Sequence, residues 1–153
     1  MPVDIDLRVE DEHWTDLPDL SGVCERAIGA AADKALPDKT VTLDVLLADN
    51  HMLATLNKQW RGKEGPTDVL SFPAAPNPEN FLGDIAIAFG VALKDARASD
   101  VSIEAHLSHL LIHGFLHLLG HDHVDNDEAE RMEAIERESL ASLGFADPYS
   151  RIA

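Results

Sequence analysis

Ser102-Ile-Glu-Ala-His106-Leu-Ser-His109-Leu-Leu-Ile-His113-Gly-Phe-Leu-His117-Leu-Leu-Gly120-His121-Asp122-His123 is the stretch on which both fold and chemistry turn. Five of the chain's eight histidines fall between 109 and 123. From Ser102 to Leu119 the pattern is helical, and Gly120 stops it. On such a helix, residues four apart differ by roughly 6 Å of rise and about 40° of rotation, so His113 and His117 project together and can share one ion. Gly120 permits a left-handed or sharply turned backbone, which lets the chain double back and aim His123 at the same point. All three ligands then come from one continuous span.

The spacing His-x-x-x-His-x-x-Gly-x-x-His is that of the metzincin peptidases, in which a Glu directly after the first histidine is the general base. Here that position is Gly114. The metal scaffold is present without the peptidase base, which points away from peptide hydrolysis and toward another substrate. Three neutral imidazoles around a divalent ion leave a fourth position for water, whose pKa the ion lowers toward about 7. His109, one turn before His113, is the main competing ligand, and His121 is a weaker third candidate than His123. A closed structural site would recruit Asp122 or Asp125 as a fourth ligand, and that alternative stays open. Zinc is the expected ion, although nickel, copper and iron also accept three imidazoles.

Outward from this stretch, Asp127 to Leu143 reads as a second amphipathic helix ended by Gly144. Val3, Ile5, Leu7 and Val9 alternate with polar residues, the two-residue period of a half-buried strand. Leu20 to Leu36 is Ala-rich with helical spacing and ends before Pro37. Thr40 to Leu47 is β-branched and apolar, after which Asp49 or Asn50 can cap a helix carrying Met52, Leu53, Leu56 and Trp60. Asp68 to Phe72 and Asp84 to Phe89 read as two further strands around a Pro- and Asn-rich loop. The order is β-α-β-α-β-β followed by helices, an α+β architecture with a small sheet covered by helices.

The 153 residues, 45% of them hydrophobic, suit one domain over 1–153. The N-terminal residues read as no secretory signal, and the most apolar run, Leu107 to Leu119, is too short for a bilayer, so the expected location is the cytoplasm. Cys24 is the only cysteine, which excludes an internal disulfide and leaves His, Asp and Glu to build any metal site. With 28 acids against 12 Lys and Arg, the net charge of −16 repels free nucleic acid. A nucleic-acid function therefore requires a local basic patch or a delivering partner.

Three segments together resemble the bacterial YbeY proteins, metal-dependent single-strand endoribonucleases involved in ribosomal RNA maturation. They are Leu56 to Pro73 (LNKQWRGKEGPTDVLSFP), Leu82 to Ile87 (LGDIAI) and His113 to His123 (HGFLHLLGHDH), with His121 where the family commonly has Tyr. The resemblance implies a mixed-sheet α+β fold with the metal in a cleft, and it implies that Arg61 serves the substrate. A guanidinium grips a phosphate bidentately and offsets developing charge, and Lys58 and Lys63 flank it as the one local source of basicity. Thr67, Asp68 and Ser71 read as shapers of a loop and strand, and Asp84 has no assigned role. The leading expectation is hydrolysis of single-stranded RNA in ribosomal RNA maturation and ribosome quality control. The rival is a non-catalytic, metal-stapled assembly factor that docks on the small ribosomal subunit or on a basic ribosomal protein.

Overall fold

Alternation along the strands decides which side of the sheet faces which helices. The computed structural model describes residues 3–121 and 125–149. Strands β1 (Val3–Val9), β2 (Val41–Ala48), β3 (Val69–Pro73) and β4 (Phe81–Ala88) form one sheet in the order β1-β2-β4-β3. β1 pairs with β2 and β2 with β4 in parallel, whereas β3 runs antiparallel to β4 along the edge. The sheet is therefore mixed, and the α+β expectation holds.

Val41, Leu43, Val45 and Leu47 of β2, with Ile85 and Ile87 of β4, point to the main core. They meet α1 (Leu20–Ala35) through Val23, Ala27 and Ile28, and α4 (Ile103–Leu118) through Leu107, Leu111, Ile112 and Phe115. α5 (Asn126–Ser142) adds Met132 and Leu140 to the same core. Fully burying each of these large side chains contributes about 1.5–3 kcal/mol. The other face carries a smaller core, in which α2 (Asn50–Arg61) lays Leu53 against Leu70, Ala86 and Ala88. β1 and β2 present Asp6, Arg8 and Asp44 on that second face, where they line a groove together with Leu56, Trp60 and Arg61 of α2.

Local signals account for most boundaries. Asp49 caps α2 by accepting the Met52 N–H at 2.8 Å, Ser102 caps α4 through Ala105 N–H at 3.0 Å, and Asp125 caps α5 through Glu128 N–H at 2.8 Å. Three elements depart from the sequence reading. β4 begins three residues earlier than expected and stops at Ala88, where α3 (Phe89–Ala98) follows with no loop between them. α3 has no side-chain cap of its own; the Asn50 amide oxygen, from α2, accepts the Val91 N–H at 3.0 Å. A 3-10 turn at Glu12–Asp16 was likewise not expected. It inserts Trp14, fully buried, whose indole donates to Ala48 O at 2.9 Å and meets Phe89 edge-on at 4.9 Å.

Helix α4 approaches the sheet closely at Gly114. A Cβ there would lie 3.0 Å from Ile85 Cγ2 and 3.1 Å from Ser71 Oγ. Gly114→Glu forces overpacking and buries a charge, and is expected to lower unfolding stability by about 3 kcal/mol. Urea denaturation of the variant checks this, and unchanged stability would show that the contact is soft.

Candidate metal centre

α4 places His113 and His117 one turn apart on a face looking toward β3. Their rings lie 4.5 Å apart at 80°, and the two Nε2 atoms approach to 3.0 Å. Gly120, at φ 94°, turns the chain out of the helix, in the left-handed region that favours glycine. His123 and Asp122 lie outside the described residues. Asp125 is committed as the α5 cap rather than standing as a free fourth ligand.

Behind the pair sits a carboxylate that the sequence reading missed. Glu136 of α5 is fully buried, and its Oε2 lies 3.2 Å from His113 Nδ1 and 2.9 Å from His109 Nε2. Tyr149 OH donates to both carboxylate oxygens, at 2.9 and 3.1 Å. Burial would raise the Glu136 carboxyl, but hydrogen bonds and charge from His109 and His113 outweigh it and hold the pKa at about 2. The Tyr149 phenol is pushed up by burial and then by the Glu136 carboxylate, so it remains a donor.

This network sets a tautomer. With Nδ1–H of His113 donating to an ionised Glu136, the His113 Nε2 is left as the lone-pair nitrogen and faces His117. Carboxylate–imidazole pairs of this kind orient metal-binding histidines and raise their basicity. His109, the competing ligand of the sequence reading, is drawn toward Glu136 at the opposite side of His113. Two convergent imidazole nitrogens, one of them oriented by a buried carboxylate, are a donor set that fits a divalent ion.

A cleft of about 450 Å³ opens in front of the pair, lined by Arg61, Asp68, Ser71, His113, His117 and His121. Ser71 Oγ donates to Gly114 O at 3.1 Å, tying β3 to α4, and Asp68 Oδ1 accepts the Val69 N–H at 2.7 Å at the start of β3. Asp68 has a further place. Its carboxylate, that of Asp95 and a His106 ring nitrogen all lie within 4.8 Å of one another, a potential metal-binding group of Asp and His residues. Burial, followed by the nearby His109, lowers the His106 pKa, and His106 Nε2 is buried without a hydrogen-bond partner among the described residues.

Arg61, the last residue of α2, reaches the cleft from the far side of β3. It also lines a groove of about 1010 Å³ on the second face of the sheet. Lys58 pairs with Glu64 at 3.4 Å in full solvent, a contact worth little. Asp84 stands across from Asp44, and burial together with the Asp44 carboxylate raises its pKa. Cys24 is buried and inert, its thiol pushed up to about 12 by burial and then by Glu25.

A family profile described as Endoribonuclease YbeY matches residues 6–144. An Endoribonuclease YbeY of Maricaulis maris is 52% identical over 146 residues, covering 95% of this chain and 91% of that protein. One of Rhizobium meliloti is 42% identical, covering 96% and 95% of the two chains. A Thermotoga maritima protein with a structure determined in solution superposes with a TM-score of 0.59 at 26% identity, covering 96% of this chain and 99% of that one.

Glu136→Gln is expected to destabilise the fold and to flatten its acid dependence. The folded carboxyl titrates at about 2 against an ordinary 4.5, so its contribution is complete above about pH 4.5 and disappears as pH falls toward 2. Thermal unfolding of both proteins between pH 5 and 2 checks this. Parallel curves would remove the carboxylate from the stability balance.

Proposed function

This chain belongs to the Endoribonuclease YbeY family of RNA-cleaving enzymes, and from that premise we propose that it hydrolyses phosphodiester bonds of single-stranded RNA, ribosomal RNA among them, at the His113–His117 cleft. The observation that carries the proposal is the pair of imidazole nitrogens 3.0 Å apart, backed by a buried carboxylate and faced by Arg61. His113, His117 and His123 are the proposed ligands of one divalent ion, with zinc the proposed occupant of a donor set that nickel, copper and iron also accept. Such an ion supplies Lewis acidity and lowers the pKa of water toward about 7.

The chain's own residues do the rest. Glu136 keeps His113 in the tautomer that presents Nε2 to the cleft. Arg61 binds a non-bridging phosphate oxygen and offsets the charge that grows there as the phosphorus becomes five-coordinate. Among the described residues its guanidinium makes no ion pair, so it is available to the substrate. Buried Gly114 leaves no carboxylate at the metzincin base position, which separates this cleft from a peptidase site.

Residues 1–153 are proposed to act as one domain in the cytoplasm; no described helix is long and apolar enough to cross a membrane. The net charge of −16 and the acids on the open sheet face suit a basic ribosomal protein or the small subunit as a second, delivering partner.

His117→Ala is expected to abolish metal content and cleavage together, measured by elemental analysis and by cutting of a labelled single-stranded RNA. Cleavage that survives both this change and chelation would end the proposal. Arg61→Ala should keep the metal and lower kcat roughly 10²- to 10³-fold. Normal turnover would place Arg61 outside the chemistry.

A further inference from the structure

Trp60 is 65% exposed, far more than Met52 or Tyr149, the other exposed large hydrophobic residues among those described. It stands one residue before Arg61 and meets Phe72 of β3 edge-on, with ring centroids 6.3 Å apart. Leaving so large an apolar ring in water forgoes burial that the smaller core beside it could have supplied. The ring lines the 1010 Å³ groove, and that groove shares Arg61, Ser71 and Pro73 with the histidine cleft. The two cavities thus meet around the β3 edge, and a flexible polymer can lie across it.

We propose that Trp60, supported by Phe72, is a nucleobase-stacking subsite that holds one unpaired base of the RNA next to the cleft, with Arg61 on the adjoining phosphate. The inference rests on the RNA-cleaving reading above. Every base has a π-face, so an exposed indole binds without reading sequence, and only a base already free of a duplex offers that face. Single-strand preference follows from this geometry. A guanidinium one residue away, with Lys63 close in sequence, supplies the charge complementarity for the backbone. Along the sheet the groove disfavours phosphate: Asp6, Asp44 and Asp84 stand in one cross-strand row that runs up to Phe72, with Arg8 as the cation beside it. The strand is therefore directed from Trp60 around the β3 edge and not along the sheet.

The chain has two tryptophans, and Trp14 is fully buried, so a fluorescence change on adding RNA reports Trp60. The full chain carrying His117→Ala is titrated with an unstructured oligoribonucleotide and with the same sequence as a duplex. The single strand is expected to quench the exposed indole and the duplex to leave it unchanged. Adding Trp60→Ala should weaken single-strand binding roughly ten-fold or more, and Trp60→Phe should restore most of it. In the metal-loaded enzyme, Trp60→Ala should raise KM by a similar factor with kcat within about two-fold. Quenching by an RNA that the intact enzyme does not cut would uphold the subsite and overturn the cleavage reading. Cleavage with KM unmoved by Trp60→Ala would overturn the subsite alone. Absence of quenching, or quenching only by a basic peptide, overturns it as well.

Discussion

α4 lies so close to the sheet at Gly114 that Ser71 donates its hydroxyl to the Gly114 carbonyl across the gap, and the rest of the site takes its position from that contact. With the helix pinned there, His113 and His117 stand beside the edge strand β3. Arg61, at the end of α2 on the opposite face of the sheet, needs only to pass around that edge to meet them. A side chain at 114 would push the helix away from Ile85 and carry the imidazoles with it. The lack of a metzincin-type glutamate is thus a packing requirement as well as a chemical difference.

Charge is divided within the molecule as unevenly as it is scarce in sign. A net of −16 opposes polyanions at long range, and salt weakens that opposition beyond about 8–10 Å. At short range the cleft offers imidazoles and a guanidinium that has no ion pair among the described residues, beside the single acid Asp68, while further acids collect on the open part of the sheet. Selectivity for where a polyanion settles follows from this contrast, since most of the surface rejects it. The buried Glu136 is the exception that does not repel, because two histidines and a tyrosine surround its carboxylate.

Much of this was legible in the residues. Period-two alternation from Val3 to Val9 gave the edge strand β1, and Asp49 marked the start of α2 by a cap that the structure contains, whereas the caps at Ser102 and Asp125 were not read as such. The His113–His117 pair followed from helix geometry alone. What escaped depended on contacts distant in sequence. α3 has no cap of its own because Asn50 supplies one from 41 positions away, and Gly90 is the gap through which that amide fits. Trp14 is buried only because Ala48 and Phe89 meet it from other elements. Glu136 did leave a trace: it falls four residues after Met132 and four before Leu140, on the buried stripe of α5, where an acid needs partners to be tolerated. Asp95 left none, and its approach to Asp68 and His106 is visible only in three dimensions.

The hydrogen bonds of Tyr149 to Glu136 have a bearing on the order of assembly. Synthesis proceeds from the N-terminus at about 5–20 residues per second, so α4 emerges before α5, and α5 before Tyr149. Until Glu136 docks, the His113 ring lacks the carboxylate that accepts from its Nδ1, and until Tyr149 arrives the carboxylate lacks its phenolic donor. A nascent chain that already displays both imidazoles is consequently still unfinished as a reagent, and competence waits on residues made later, 23 positions after His113 for Glu136 and 13 more for Tyr149.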